Sequence, residues 1–249
     1  MKIGILGTGS IGATLTRRLS AAGHEVVVAN SRGPQTISAE LLADGARAVE
    51  AAGVVEGVEA LVLSIPLARV PDVAPLVARL PEGAVVLDTS NYYPARDGRI
   101  AALEDGQVES RWVVDQLGGR PVVKAWNAVT AGSFADRAAP AGSPGRIALP
   151  VAADTDGARA LGLSLVDQTG FDGLDAGTLD ESWRQQPGTP AYCTDLTRDE
   201  LGDALAAARP GRAPRRRDLA VAVATELLDD PGRHGGDLLV RINRLIYGG

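Results

Sequence analysis

A glycine-rich segment near the start of the chain, GTGSIG at residues 7–12, follows the spacing G-x-G-x-x-G. The apolar run at residues 2–7 predicts a buried strand, and apolar residues at helical spacing over residues 11–22 predict a helix. In such a strand–turn–helix unit the first glycine permits the tight turn, the second lets a pyrophosphate approach the backbone, and the third lets helix and strand pack closely. The segment therefore predicts a dinucleotide site formed by Gly7, Thr8, Gly9, Ser10, Ile11 and Gly12.

The rest of the first half alternates short apolar runs with helical stretches. Further strands are predicted at residues 25–29, 46–49, 60–65, 84–87 and 121–125, and helices at residues 36–43, 70–80 and 108–117. Strands that alternate with helices favour a Rossmann-type α/β fold, in which helices cover both faces of a doubly wound parallel sheet.

A segment rich in Ala, Pro and Gly at residues 138–145 predicts a boundary or a long loop. We expect a dinucleotide-binding domain over residues 1–142 and a smaller, mostly helical domain over residues 143–249. Strand-like runs at residues 146–151 and 171–174 either extend the same sheet or belong to the smaller domain. Helical patterns occupy residues 198–209, 216–228 and 236–247.

Composition narrows the classes of ligand and the location. A net charge of −6 and a pI near 5.0 argue against a non-specific nucleic-acid binder and against binding to an anionic membrane. No run approaches the ~20 apolar residues that span a bilayer. No export signal is recognisable at the start, which favours the cytoplasm. A single cysteine, Cys193, and two distant histidines, His24 and His234, make a metal site unexpected.

The end of the second predicted strand distinguishes between cofactors. An NAD site usually has an acidic residue there, which accepts a hydrogen bond from the ribose 2′-hydroxyl. Here the position holds Asn30, followed by Ser31 and Arg32. A guanidinium can clamp a 2′-phosphate in a bidentate manner, a serine can donate to it, and no carboxylate repels it. The sequence therefore predicts NADP(H) as the cofactor.

These features together with VVKAWN at residues 122–127 make the chain resemble the NADP oxidoreductases that depend on the deazaflavin coenzyme F420. The resemblance covers residues 1–136 and continues more weakly at residues 171–177. It implies hydride transfer between NADP(H) and a deazaflavin, usually in a homodimer. It also implies phosphate contacts from Ser31 and Arg32, and contacts on the nicotinamide side from Ser64, Ile65, Pro66, Ser90, Asn91, Asn127 and Ala128.

The segment at residues 180–195 departs from the family pattern, so the hydride acceptor stays open. If the acceptor is a small carbonyl or imine, a proton donor is required, and Tyr192 is the best candidate. Trp183 and Arg184 either line the substrate pocket, mediate a dimer contact or belong to a packing loop. A third reading is a non-catalytic NADPH sensor, although the residues beyond the predicted boundary exceed what a minimal sensor requires.

Several other polar residues have two readings each. The side chains of Asn91 and Asn127 either orient the nicotinamide amide or bond their own backbone in turns. Lys124 lies within a predicted strand, which indicates a structural role. The arginines at residues 209–217 either attract the anionic tail of a deazaflavin or form a solvated loop.

Overall fold

One sheet of eight strands organises the chain, which a computed structural model describes over residues 1–227 and 236–248. The strand order is β3-β2-β1-β4-β5-β6-β7-β8, and every neighbouring pair is parallel except β6 and β7. The strands are β1 (Lys2–Leu6), β2 (Glu25–Ala29), β3 (Arg47–Ala48), β4 (Ala60–Leu63), β5 (Val85–Asp88), β6 (Val122–Lys124), β7 (Ala148–Ala153) and β8 (Asp172–Asp175). The predicted Rossmann-type fold is confirmed.

Helices cover both faces of the sheet, as the nearly continuous apolar strands require. They are α1 (Ser10–Ala21), α2 (Val70–Val77), α3 (Pro94–Asp97), α4 (Ala101–Glu104), α5 (Glu109–Gln116), α6 (Ala131–Asp136), α7 (Asp156–Gln168), α8 (Arg198–Ala207), α9 (Ala213–Leu227) and α10 (Gly236–Tyr247). One core cluster on each face of the sheet results from this arrangement, with Ile3 and Ile5 in one and Leu61 and Leu63 in the other.

The predicted helix over residues 36–43 is wrong. Two short 3-10 turns, Pro34–Thr36 and Ala39–Leu42, occupy this stretch, and Ile37 between them has an extended backbone. The Ser38 hydroxyl accepts a hydrogen bond from the Leu41 backbone N–H and so starts a new turn. The buried Ile37 side chain joins the core, and this tertiary contact overrides the helical propensity of the segment.

Strands β7 and β8 extend the main sheet. The predicted strands at residues 146–151 and 171–174 therefore belong to the same sheet as the first six strands. Val123 in β6 pairs with Ala153 in β7, and Ala148 pairs with Asp172 in β8. The domain boundary at residue 142 stays a prediction. The strands on its two sides, β6 and β7, are hydrogen-bonded to each other.

The C-terminal helices pack beside the carboxyl end of β6. A small core cluster joins the segment at residues 191–193 to α9 and α10 through Ala220, Ala224, Ile242 and Tyr247. Among the described residues, no helix is both long and apolar enough to cross a membrane. His234 and Leu228, the end of one predicted helix, lie outside the described residues.

Candidate functional site

The three glycines of the loop between β1 and α1 have different structural reasons to be glycine. Gly7 has a φ of +112°, and a Cβ there would overlap the Ser64 carbonyl oxygen. A Cβ on Gly12 would overlap the Gly7 carbonyl oxygen. At Gly9, by contrast, a Cβ would meet no protein atom within 4 Å. Gly9 therefore borders an open cradle at the N-terminus of α1, where free backbone N–H groups favour a phosphate.

The loop after β2 leaves a cation exposed at the predicted adenosine end. The Asn30 side chain accepts the Arg32 backbone N–H at 2.9 Å and donates to Thr8 Oγ1 at 3.2 Å and Thr36 Oγ1 at 3.0 Å. Ser31 and Arg32 are exposed. The Arg32 guanidinium forms no hydrogen bond or ion pair with any described residue. Asn30 thus shapes the loop, and the free guanidinium fits a 2′-phosphate.

A narrow cleft of about 280 Å³ continues from the glycine loop along the carboxyl ends of β4, β5 and β6. In an open α/β sheet this edge is where ligands bind. The described residues that line the cleft are Gly9, Ser10, Ile11, Ser64, Ile65, Pro66, Thr89, Ser90, Asn91, Tyr93, Arg96, Trp126, Asn127, Val129, Ala131 and Tyr192. The structure therefore brings predicted cofactor contacts from four separate loops into one cleft.

The predicted nicotinamide contacts Asn91 and Asn127 bond to each other. The Asn91 amide donates to the Asn127 carbonyl oxygen at 2.9 Å, and the Asn127 amide donates to Asn91 Oδ1 at 3.0 Å and to the Gln185 carbonyl oxygen at 2.9 Å. Their contact with nicotinamide stays a prediction, because both amides already have protein partners. The nearby residue Ser90 lines the cleft, and its buried hydroxyl has no hydrogen-bond partner among the described residues.

A buried ion pair fixes the loop after β5. Lys124 and Asp88 are both fully buried, and the Lys124 ammonium donates to Asp88 Oδ2 at 2.7 Å. Lys124 also donates to the Ser90 carbonyl oxygen, and Asp88 Oδ1 accepts the Ser90 backbone N–H at 3.0 Å. Sequence reasoning did not predict that Lys124 and Asp88 form a pair. Its only signal was a charged residue at the end of each of two apolar strands, VVLD and VVK.

A buried acid, Glu109, holds the next part of that loop. Its carboxylate accepts the Tyr92 backbone N–H at 3.1 Å. Burial raises the pKa of Glu109 to about 7, even though the positive charge of Lys124 acts in the opposite direction. Sequence reasoning gave no sign of this residue, because it occupies the first turn of α5, where acidic residues are ordinary.

The raised pKa of Glu109 should make the fold less stable at alkaline pH. The pKa of this carboxyl group is higher in the folded chain than in the unfolded chain. The free energy of unfolding therefore falls as the pH rises from the unfolded-state pKa to the folded-state pKa. We expect Glu109→Gln, which keeps an acceptor for Tyr92, to raise the melting temperature at pH 8 and to leave it nearly unchanged at pH 4.5. Thermal unfolding followed by circular dichroism at both values tests this. A lower melting temperature for the variant at pH 8 would contradict it.

A second, larger cavity of about 1460 Å³ opens from the far end of the cleft. The two spaces share Tyr93, Arg96, Val129, Ala131 and Tyr192 as walls. At this junction the Tyr93 hydroxyl donates to the Tyr192 hydroxyl at 2.8 Å. Helices α6, α9 and α10 form most of the remaining described walls, and Ala95, Thr130, Arg137 and Cys193 complete them. A ligand in the cleft would therefore end beside a space that can hold a second molecule.

Trp183 and Arg184 line neither of these two spaces. The Arg184 guanidinium lies over the Trp183 ring, 5.6 Å from its centroid, and forms an ion pair with Glu181 at 2.9 Å. Their contact with a substrate stays a prediction. In the arginine run, Arg217 is buried and lies 5.3 Å from the Tyr92 ring centroid, so this member is not solvated. Within the described part of the chain, no group of three His, Cys, Asp or Glu residues could hold a metal ion.

The N-terminal part of the chain is similar to known proteins. Residues 2–92 match the family described as NADP oxidoreductase, coenzyme F420-dependent. The Escherichia coli (strain K12) protein YjhV is 43% identical over 77 residues, which are 31% of this chain and 56% of that protein. The predicted family resemblance is confirmed over this N-terminal part, and the alignment spans only about half of the curated relative.

Solved structures extend the likeness to most of the chain. A hypothetical protein, SMa0349 of Sinorhizobium meliloti, is 28% identical, with a TM-score of 0.67 over 79% of this chain and 95% of its own. A candidate F420-dependent NADP-reductase from Arthrobacter sp. FB24 is 21% identical, with a TM-score of 0.59 over 90% of this chain and 95% of its own. The second likeness establishes the fold alone.

Proposed function

We propose, from the family match over residues 2–92, that the chain is an NADPH-dependent oxidoreductase that transfers a hydride between NADP(H) and an acceptor in the larger cavity. The observation that carries this proposal is that the cofactor cleft and that cavity are adjacent and share five lining residues. A non-catalytic sensor would need only the cleft. A space for a second molecule beside the predicted nicotinamide end favours a reaction between two ligands.

Each end of the cleft has residues suited to one part of NADPH. The cradle beside Gly9 accommodates the pyrophosphate, and Arg32 with Ser31 neutralises the 2′-phosphate. At the nicotinamide end the Ser90 hydroxyl lacks a protein partner, and a small rotation of its side chain would turn it toward a ligand. When bound, the reduced nicotinamide supplies the hydride, so the protein's part is to align two ligands and exclude water.

Two classes of acceptor remain. The family description names coenzyme F420, and a deazaflavin is the most specific acceptor that the sequence supports. The Tyr93–Tyr192 hydroxyl pair favours the alternative, a carbonyl or imine substrate, because such a substrate needs a proton as well as a hydride. Absorbance loss at the nicotinamide band, with coenzyme F420 or carbonyl compounds added to the NADPH-bound protein, separates the two classes.

The cofactor choice is tested at Arg32. We expect Arg32→Ala to weaken NADPH binding about tenfold to a hundredfold, which corresponds to about 1.4–2.8 kcal/mol for a lost charge-assisted phosphate contact. NADH binding should be unchanged, since NADH lacks the 2′-phosphate. Isothermal titration calorimetry with both cofactors measures each affinity. Arg47→Ala provides a matched control. Arg47 is exposed, lies away from the cleft and forms an ion pair of 3.1 Å with Glu25. Equal losses for NADPH and NADH would refute the assignment.

A further inference from the structure

We propose that Tyr192 donates the proton in the reduction of a carbonyl compound with an apolar body, bound in the large cavity. This inference rests on the proposed function, because it requires NADPH in the cleft. It narrows the acceptor to carbonyl compounds. In these compounds the carbon that gains the hydride is bonded directly to the oxygen that gains the proton. The donors of hydride and proton therefore have to lie side by side.

The position of Tyr192 meets this requirement. Its side chain lines both the cofactor cleft and the large cavity, at the carboxyl edge of the sheet near the loops after β5 and β6. A carbonyl group at the junction would contact the cleft on one side and the phenol on the other. A deazaflavin accepts its hydride on a carbon that is not bonded to an oxygen, so it has no comparable need for a phenol at this junction.

The hydroxyl groups of Tyr93 and Tyr192 share one hydrogen bond of 2.8 Å, and a phenol can donate one hydrogen bond while it accepts another. With Tyr93 as the donor in this bond, the Tyr192 hydrogen points to another acceptor. Burial raises the pKa of the Tyr192 hydroxyl well above its usual value, which keeps it protonated in the resting state. The Arg96 guanidinium lies 5.4 Å from the Tyr93 ring centroid, and Arg96 lines both spaces. Its charge favours the negative charge that develops as the proton leaves.

The backbone around Tyr192 is fixed from two sides. Cys193 has a φ of +54°, a left-handed conformation that is unfavourable for a residue other than glycine. The Cys193 N–H donates to the Ala128 carbonyl oxygen at 3.0 Å, and the Asn243 amide in α10 donates to the Cys193 carbonyl oxygen at 3.2 Å. The strained residue is thus held between the loop after β6 and α10. Such support preorganises the neighbouring phenol, as a proton donor requires.

The rest of the cavity indicates the body of the substrate. One part of its described walls is apolar, with Val129, Ala220 and Leu238, and another part carries the charged side chains of Arg96, Asp136, Arg137, Asp237 and Arg241. The volume of about 1460 Å³ exceeds the ~300–1,000 Å³ typical of pockets for drug-sized ligands. The apolar body of a ketone or aldehyde can pack on the apolar part, where burial of its surface contributes to binding.

The reaction balances with these groups alone. The π bond of the carbonyl breaks, its carbon gains the hydride that the reduced nicotinamide loses, and its oxygen takes the proton of Tyr192. Tyr93 returns a proton to Tyr192 through their hydrogen bond, and water restores Tyr93. In sum, one carbonyl compound, one NADPH and one proton give one alcohol and one NADP⁺.

The test uses the full chain with saturating NADPH and the activated ketone 2,2,2-trifluoroacetophenone as probe. We expect Tyr192→Phe to lower kcat for this ketone about a hundredfold or more, in line with general acid catalysis at ~10²–10⁴. Tyr93→Phe should lower kcat less, because it removes the partner and keeps the donor. The affinity of Tyr192→Phe for NADPH should stay within about threefold of the wild type.

A second substrate separates proton donation from a structural role. The 1,2-dimethyl-1-pyrrolinium cation needs a hydride and no proton, so Tyr192→Phe should lower its rate of reduction at least tenfold less than it lowers that of the ketone. An unchanged ketone rate in Tyr192→Phe, equal losses on both probes, or no ketone reduction by a wild-type protein that binds NADPH would each overturn the inference. Failure of the wild type to bind NADPH would instead refute the proposed function.

Discussion

Replacing Lys124 by Met should lower the free energy of unfolding by about 3–5 kcal/mol, the range found when one partner of a buried ion pair is removed. The substitution leaves the Asp88 carboxylate fully buried without its cation, and it also removes the donor to the Ser90 carbonyl oxygen. Urea unfolding followed by circular dichroism measures the loss, with the midpoint and the slope fitted separately.

A double variant shows whether the unpaired charge is the cause. In Lys124→Met with Asp88→Asn, the buried negative charge is gone, and the asparagine side-chain oxygen can still accept the Ser90 backbone N–H. We expect this double variant to be more stable than Lys124→Met alone by about 2 kcal/mol, because no uncompensated charge remains inside. A double variant no more stable than the single one would show that packing of the lysine stem, not charge, accounts for the loss.

Gly12→Ala should destabilise the fold by about 3 kcal/mol, the upper end of the usual cost of overpacking. Its Cβ would overlap the Gly7 carbonyl oxygen, and it would also lie 3.1 Å from Ser64 Cβ. Helix α1 would have to move away from the loop after β1 and from Ser64 after β4, since neither contact is the end of a flexible side chain. Denaturant unfolding without cofactor measures this effect directly.

Gly9→Ala is the matched control for Gly12→Ala. Its φ of −69° and ψ of 178° suit any residue, and a Cβ there meets no protein atom within 4 Å. We therefore expect unchanged stability within about 1 kcal/mol, the size of a helix-cap effect. NADPH binding should nevertheless weaken at least tenfold, because the methyl group enters the phosphate cradle. Tight NADPH binding by Gly9→Ala would mean that the pyrophosphate lies elsewhere.

The glycine loop and the residues after β2 were predictable because their requirements are local. The spacing of Gly7, Gly9 and Gly12 specifies a turn between a strand and a helix, and Arg32 follows the end of β2 directly. The helix predicted over residues 36–43 failed for the opposite reason. Burial of Ile37 in the core divides that stretch into two turns, and a contact with the core is not visible in a local pattern.

The sequence by itself determined the alternation of strands and helices, the glycine-rich turn between β1 and α1 and the arginine in the loop after β2, because each depends on residues close together in the chain. Only the tertiary structure decided that Lys124 pairs with Asp88, 36 residues away, and that Tyr192 accepts a hydrogen bond from Tyr93, 99 residues away. The order of the strands brings these partners together. Hydrophobic periodicity, which reports the buried face of one element at a time, carries no information about that order.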